Sequence, residues 1–257
     1  MKRLISLSLY GSDPIYLQGA LRNVRLQKVH FPTWTTRIYA SQEIPATLIE
    51  QLKAEGAEVV AKVRQNNIDG MFWRFLPVGE PDVDAVIVRD TDSRLTARER
   101  AAVDQWIDSG KSLHIMRDHP LHRVVMLGGM WGCRGGKIPD INELLGQWNL
   151  AQKKGYDQDF LNDRIYPRFS QDCFIHSELY RYQGEQVHPF PVPRDGGEFI
   201  GCVYDADRDT LTPEQHAANL ASFTDTQLKD LPRAQPRSML FRSARQWLRV
   251  LRGKAAA

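Results

Sequence analysis

A short apolar run, Ala85-Val86-Ile87-Val88, stops abruptly in Arg89-Asp90-Thr91-Asp92-Ser93-Arg94, and few folds accommodate that succession. The run is too short for a helix and rich in β-branched residues, which suits a central strand covered on both faces. Asp90 and Asp92 then stand just past its carboxyl end, the edge of an open α/β sheet where loops and helix N-termini converge on ligands. Their bland use would be to cap the next helix. Thr96-Ala97-Arg98-Glu99 is the better cap, because a Thr hydroxyl and a Glu carboxylate three residues apart each satisfy an orphan backbone donor. The two acids are therefore spare. Carboxylates this close repel unless a cation lies between them, so the spacing predicts a hard divalent ion with positions left open for phosphate oxygens.

The remaining chain supplies the sheet that such a strand requires. Leu4 to Leu9 reads as a first strand, and Tyr10-Gly11-Ser12-Asp13-Pro14 is a turn-forming cluster before a helix from about Ile15 to Lys28. Arg37–Ala40 and Glu58–Lys62 read as strands with a helix, Ala46–Glu55, between them. This β-α-β-α-β alternation favours an α/β fold with a mainly parallel sheet and helices on both faces. A helix over Ala97–Ser109 stops at Gly110, a strand follows over Ser112–Met116, and a further helix is expected over Ile141–Lys154. Glu198–Asp205 reads as a late strand. The 257 residues are expected to divide into one α/β domain, 1–232, and a basic tail, 233–257.

Composition narrows the functional classes. With 42% hydrophobic and 25% charged residues the chain is an ordinary globular one. No apolar run approaches a membrane span, and the amino terminus alternates rather than forming a signal-peptide core, which predicts a cytoplasmic protein. The cysteines, Cys133, Cys173 and Cys202, are odd in number and lack C-x-x-C spacing, so they are expected to be reduced packing residues. The net charge of +3 hides an asymmetry: seven basic and no acidic residues lie from Arg233 onward, leaving 27 Lys and Arg against 31 Asp and Glu in the body. A body of about −4 is not the footprint of a nucleic-acid binder.

Several other stretches bear on a site. Met71-Phe72-Trp73-Arg74-Phe75-Leu76-Pro77 packs large apolar groups around one arginine, which is either a snorkelling surface residue or a phosphate partner. His119-Pro120-Leu121-His122 has the outline of a metal pair, but the proline between the imidazoles suggests a loop or helix start and no third ligand is nearby, so local structure or hydrogen bonding to a substrate is expected instead. Gly128 to Ile138 is glycine-rich without being a Walker loop, since Ile138 stands where a metal-binding Ser or Thr belongs. Glycines there either let backbone approach a ligand closely or simply let the loop pack tightly. Acids and amides in Asp157-Gln158-Asp159-Phe160-Leu161-Asn162 suit hydrogen bonding to several hydroxyls.

The order Phe72 to Pro77, Asp90-Thr91-Asp92, Gly128-Gly129-Met130 and Asp157 to Asn162 resembles nucleotide-sugar glycosyltransferases of the GT-A fold, nearest the glycogenin and bacterial lipopolysaccharide galactosyltransferase group. The likeness spans roughly residues 3 to 176. It implies a Rossmann-like GT-A domain in which Asp90 and Asp92 hold Mn²⁺ (or Mg²⁺) against a donor diphosphate. By the same resemblance Asp157 and Gln158 lie near the transferred sugar, and Tyr10, Arg74, Arg89, Gly128 and Gly129 face the donor. The family's late His-x-x-Gly-x-x-Lys-Pro-Trp is absent, and His176 is the candidate to replace its imidazole as third metal ligand.

What the resemblance implies is transfer of a hexose from a nucleoside diphosphate sugar to a glycan or lipid-linked acceptor, in bacterial surface polysaccharide synthesis. The metal would neutralise charge on the leaving diphosphate. An inverting outcome would need a carboxylate base, with Asp157 and Asp159 the candidates. Two alternatives are a haloacid-dehalogenase-like phosphatase, against which Arg94 counts two residues past Asp92, and a non-catalytic module binding a glycan or sugar nucleotide around a structural ion. In the tail, Leu240, Ala244, Trp247 and Leu251 recur at helical spacing, while Arg242, Arg245, Arg249 and Arg252 fall elsewhere on the wheel. A basic amphipathic helix over 238–252 is expected, either on an anionic membrane or against the chain's own domain.

Overall fold

The structure, a computed structural model, describes residues 2–66, 68–148, 157–225 and 227–232. In chain order its elements are β1 (Lys2–Leu9), α1 (Pro14–His30), β2 (Thr35–Ser41), α2 (Ala46–Ala54), β3 (Glu58–Lys62), α3 (Gly70–Trp73) and a 3₁₀ turn, Leu76–Gly79. Then come β4 (Val83–Arg89), α4 (Ala97–Ser109), β5 (Leu113–Arg117), β6 (Met130–Arg134), α5 (Ile141–Gln147) and α6 (Asp157–Phe160). A π turn (Leu161–Ile165), α7 (Tyr166–Phe169), β7 (Cys173–Ser177), β8 (Tyr180–Tyr182), β9 (Val187–His188), α8 (Pro213–Ser222) and β10 (Lys229–Leu231) complete the series. Eight strands form one sheet in the order β3-β2-β1-β4-β6-β5-β7-β9, with β6 antiparallel to both neighbours and the other pairs parallel. The α/β class and mainly parallel sheet expected from the sequence are those observed. The helix expected over 238–252 lies outside the described residues.

The central strands are apolar on both sides because both faces of the sheet are covered. Ile5, Leu7 and Ile87 face a core shared with α1, α2 and α4 through Val24, Leu52, Val103 and Trp106. Leu4, Val86 and Val88 face the other core, built with Phe75, Trp131, Phe160 and Ile165. Among the described residues no helix is long and apolar enough to cross a membrane. All three cysteines are free thiols, and Cys133 and Cys202 are buried.

Local signals account for most boundaries. Asp13 caps α1 by accepting the Ile15 N–H at 3.0 Å, with Pro14 in the first turn. Thr96 caps α4 by accepting from Glu99 N at 3.1 Å, and Gly110 closes that helix at φ 70°. The reciprocal half of the capping box is not made: the Glu99 carboxylate instead meets the buried Arg89 guanidinium, which needs a counter-charge. Two expectations are corrected. The helix begun at Ile141 ends at Gln147, where Trp148 turns extended (ψ 105°) and sets its ring edge-on to Phe160. Glu198–Asp205 is not a strand, because Gly201 takes φ 82° in a turn closed by Cys202 N–H to Phe199 O.

Buried imidazoles set the acid limit of the fold. His114 Nε2 lies 2.8 Å from His176 Nδ1, and His176 Nε2 lies 3.0 Å from Gln105 Oε1, so one proton per ring suffices; a second on His176 would face the His114 N–H, and a second on His114 would sit on a buried Nδ1 with no acceptor. Burial lowers His176 to about 3 and His119 to about 4, and holds His114 and His122 well below the ordinary value. Unfolded histidines take protons near pH 6.5, so below that pH the unfolded chain binds more protons than the folded one. Stability is thus present above pH 6.5 and lost as pH falls toward 4, by about 1.4 kcal/mol per pH unit for each histidine in its window. A melting temperature that falls steeply between these limits, with a shallower slope in His119→Asn, is the expected result of thermal scans across pH.

Candidate active site

The parallel pairing of β1 with β4 sets Ser6 beside Val88, so the loop after β1 and the loop after β4 open at one edge of the sheet. Antiparallel pairing of Arg89 with Met130 brings Gly128 and Gly129 to the same edge. Between them lies a cleft of about 360 Å³. Asp90, Asp92, Arg74, Asp157, Gln158 and Gly128 line it together with Tyr10. Four residues not singled out in the sequence complete the lining: Ser8, Tyr16, Met71 and Thr91. The signal for Ser8 and Tyr16 was present in their positions, at the end of the first strand and in the first turn of α1.

The Asp90–Asp92 loop is held by hydrogen bonds rather than by its own charge. Ser93 Oγ donates to Asp90 O at 3.0 Å. The buried Asn23 of α1 donates to Thr91 O at 3.2 Å and Ser93 O at 2.8 Å, and accepts from Leu95 N at 3.1 Å. Gly19 allows that approach, since a Cβ there would sit 2.0 Å from Thr91 O. A shared asparagine with donors and acceptor all engaged fixes the turn from one side.

Arg74 is neither a snorkelling residue nor a free phosphate partner. Its side chain is buried; Nη1 donates to an Asp90 carboxylate oxygen and to Arg89 O (3.1 Å), and Nη2 donates to Asp157 Oδ2 at 2.7 Å. Burial favours loss of the guanidinium charge, but the carboxylates of Asp90 and Asp157 outweigh it and hold the group protonated. The Asp157 carboxyl is raised above the ordinary range by burial, with Arg74 opposing. At Asp92, burial first and then the charge of Asp90 push the carboxyl up to about 7. Burial likewise raises Tyr10 to about 12 and raises Tyr16, the latter also through Asp92, so both phenols stay neutral donors.

Asp157 reaches the cleft from the start of α6. That segment continues as a π turn in which Tyr166 N–H reaches Leu161 O, just before Pro167, which has no N–H to extend an α-helical ladder. Phe160, Leu161 and Ile165 are thereby buried in the core while Asp157 and Gln158 face the cleft.

Four sequence-predicted residues do not line the cleft: Gly129 stands against Asp90, and three others lie elsewhere. Arg89 is buried and spends its guanidinium on Glu99, Val88 O (2.7 Å) and Trp131 O (2.8 Å), which ties β4 to β6 and α4 rather than to a donor. His176 lies within β7 with both ring nitrogens already in the His114–Gln105 chain, so it has no lone pair for a metal in this arrangement. Asp159 is buried in α6 away from the cleft wall, which leaves Asp157 as the carboxylate in place. The His119/His122 pair accepts N–H groups of its own loop, from Leu121 and Asp118 at 3.1 Å each, as local structure requires.

The donor set fits a hard cation bound with help from a ligand. Asp90 and Asp92 offer carboxylate oxygens one residue apart, and among the described residues no group of three or more His, Cys, Asp or Glu is arranged to hold a metal ion by itself. Two carboxylates with phosphate oxygens and water completing the shell is the usual mode of Mg²⁺-like ions.

No protein-family model matches the chain, and the comparison with curated proteins found no match. Solved structures to which the chain is similar include a glycosyltransferase involved in the glycosylation of the major capsid of PBCV-1 (14% identity, 71% of this chain and 85% of that one, TM-score 0.46). Another is glucosyl-3-phosphoglycerate synthase of Mycobacterium tuberculosis with Mn²⁺, UDP and phosphoglyceric acid (17% identity, 68% of each chain, TM-score 0.42). The same synthase with Mg²⁺ and UDP gives 16% identity, 68% of each chain and a TM-score of 0.43. At this level of likeness the chemistry of the cleft rests on its own side chains.

Proposed function

We propose that this protein is a metal-dependent glycosyltransferase that moves a hexose from a nucleoside diphosphate sugar to a hydroxyl of a glycan or lipid-linked acceptor. The observation that carries the reading is the charge balance of the cleft. Three carboxylates, Asp90, Asp92 and Asp157, face one lining cation, Arg74, which is already engaged by two of them. A diphosphate entering such a site needs a counter-ion that the lining side chains do not supply. A divalent ion on Asp90 and Asp92 would supply it, acting as Lewis acid toward the leaving diphosphate. Arg74 and Asp157 would orient sugar hydroxyls, Gln158 would add an amide donor, and Tyr10 would give an aromatic wall beside the nucleotide.

A screen of nucleotide sugars for Mn²⁺-dependent thermal stabilisation tests this, because ligand binding raises apparent stability by mass action. Release of nucleoside diphosphate, with no phosphate released from simple phosphomonoesters, is the expected chemistry; phosphate release through an aspartyl-phosphate would favour the phosphatase alternative instead. For a lipid-linked acceptor, residues 238–252 would dock an anionic membrane at about 1 kcal/mol per basic residue near the surface. The full chain is then expected to sediment with anionic vesicles and the chain truncated after Pro236 not to, equal sedimentation counting against the membrane.

A further inference from the structure

The Asp90–Asp92 loop is clamped from a second side by a segment the proposed chemistry does not use. Arg94, four residues beyond Asp90, has a side chain only 1% exposed. Its guanidinium donates to main-chain carbonyls of two separate stretches, and Nε also lies 3.5 Å from an Asp209 carboxylate oxygen. Nη1 donates to Ser93 O at 3.0 Å and Thr91 O at 3.5 Å, within its own loop. Nη2 donates to Asp205 O at 3.1 Å and Arg208 O at 2.9 Å, and Nε to Arg208 O at 3.1 Å, more than a hundred residues away. The guanidinium also lies 5.2 Å from the centre of the Tyr204 ring, and the Tyr204 N–H donates to Asp92 O at 3.0 Å. The stretch 204–209 is itself pinned to α1 by Arg22, which donates to Ala206 O at 3.2 Å and Asp207 O at 2.6 Å and pairs with Asp209 at 2.7 Å.

We infer that Arg94 is a positioning residue: it locks the stretch 204–209 onto the Asp90–Asp92 loop and so fixes where the Asp92 carboxylate presents itself to a cation. The inference rests on the proposed metal role of Asp92 but makes a separate claim about the loop. A planar fork with five donors in fixed directions is what the arrangement uses. A lysine ammonium has three donors at one point and cannot span Ser93 and Thr91 on one side and Asp205 and Arg208 on the other. Tyr204 adds a backbone bond to Asp92 itself, and it can be made only while the stretch stays docked.

The test compares Arg94→Met and Arg94→Lys with Arg22→Met, which cuts the same stretch from α1 and leaves the Arg94 clamp intact. Hydrogen exchange is read at Leu95 and Tyr204, and Mn²⁺ is titrated by calorimetry with UDP present, since the two carboxylates need phosphate oxygens to complete the shell. Both Arg94 variants are expected to exchange at least tenfold faster at these two amides and to bind Mn²⁺ at least tenfold more weakly. Arg22→Met is expected to melt lower while keeping both readouts within about twofold of wild type. Unchanged exchange at Leu95 and Tyr204 in Arg94→Met would overturn the inference, as would equal losses in Arg22→Met. Should the wild-type chain take up no Mn²⁺, the metal reading fails on that titration while exchange still decides the clamp.

Discussion

Replacing Asp92 by asparagine is expected to abolish Mn²⁺-dependent binding of nucleoside diphosphates while leaving the melting temperature equal to or above that of the parent. The two halves of that outcome have one cause. Asp92 is largely buried beside Asp90, and burial and the Asp90 charge together raise its carboxyl to about 7, so at neutral pH the fold bears the cost of an ionised acid in a poor environment. An asparagine of the same shape removes the repulsion and also the anionic ligand. Asp157→Asn should behave in the opposite way on stability, because it takes one of two carboxylates from the buried Arg74 guanidinium. Breaking a buried pair by removing one partner costs about 3–5 kcal/mol when nothing replaces it, and Asp90 keeps this loss toward the lower end. Calorimetry with Mn²⁺ and UDP, alongside thermal melts of both variants, separates the roles. An Asp92→Asn protein that binds as before, with Asp90→Asn also unimpaired, would end the metal assignment.

That contrast shows how far the sequence could be read. The Asp90–Asp92 loop, the α4 boundaries and β3 were legible because each depends on neighbours within a few residues: a β-branched run, a Thr cap, a Gly stop. Asp157 and Gln158 were found through a resemblance in motif order, and the cleft does gather them. Roles set by distant partners were not legible. Arg74 meets Asp90 at 16 residues and Asp157 at 83, and nothing in the local stretch distinguishes a bridging arginine from a snorkelling one. His176 was a plausible ligand by type, but its two nitrogens are claimed from 62 and 71 residues away. Arg89 failed as a donor contact for a related reason. Its counter-charge, Glu99, was read as the second half of a capping box, and a buried guanidinium competes more strongly for a carboxylate than a helix terminus does. The Glu198–Asp205 stretch has strand-like composition, yet one glycine at positive φ is enough to end any ladder.

The glycines at the end of β6 give the second large effect. Gly128→Ala is expected to lower the rate of the proposed sugar transfer by at least about 100-fold with the fold retained, since misplacing a reacting or orienting group by about 1 Å can cost that much. A Cβ at position 128 would lie 1.9 Å from Asp157 Oδ2, 2.6 Å from its Cγ and 2.9 Å from Arg74 Nη2, distances at which something must move. Arg74 has little freedom to yield, because its other nitrogen is held by Asp90 and by Arg89 O. Asp157 must therefore swing away, which breaks its 2.7 Å bond to Arg74 and withdraws the carboxylate from the cleft. Gly129→Ala presses in the same way on Asp90, whose Oδ2 would be 1.9 Å from the new carbon, so its defect should appear in Mn²⁺ affinity as well as in rate. The matched control is Gly146→Ala in α5, where an added Cβ meets nothing within 4 Å. Gly146 lies in the last turn of α5, so that change should be neutral to slightly stabilising and leave turnover unaltered. Kinetics on the three variants at saturating Mn²⁺ decide the matter: a Gly128→Ala enzyme as fast as Gly146→Ala would mean that Asp157 does not act from the position it holds against Arg74.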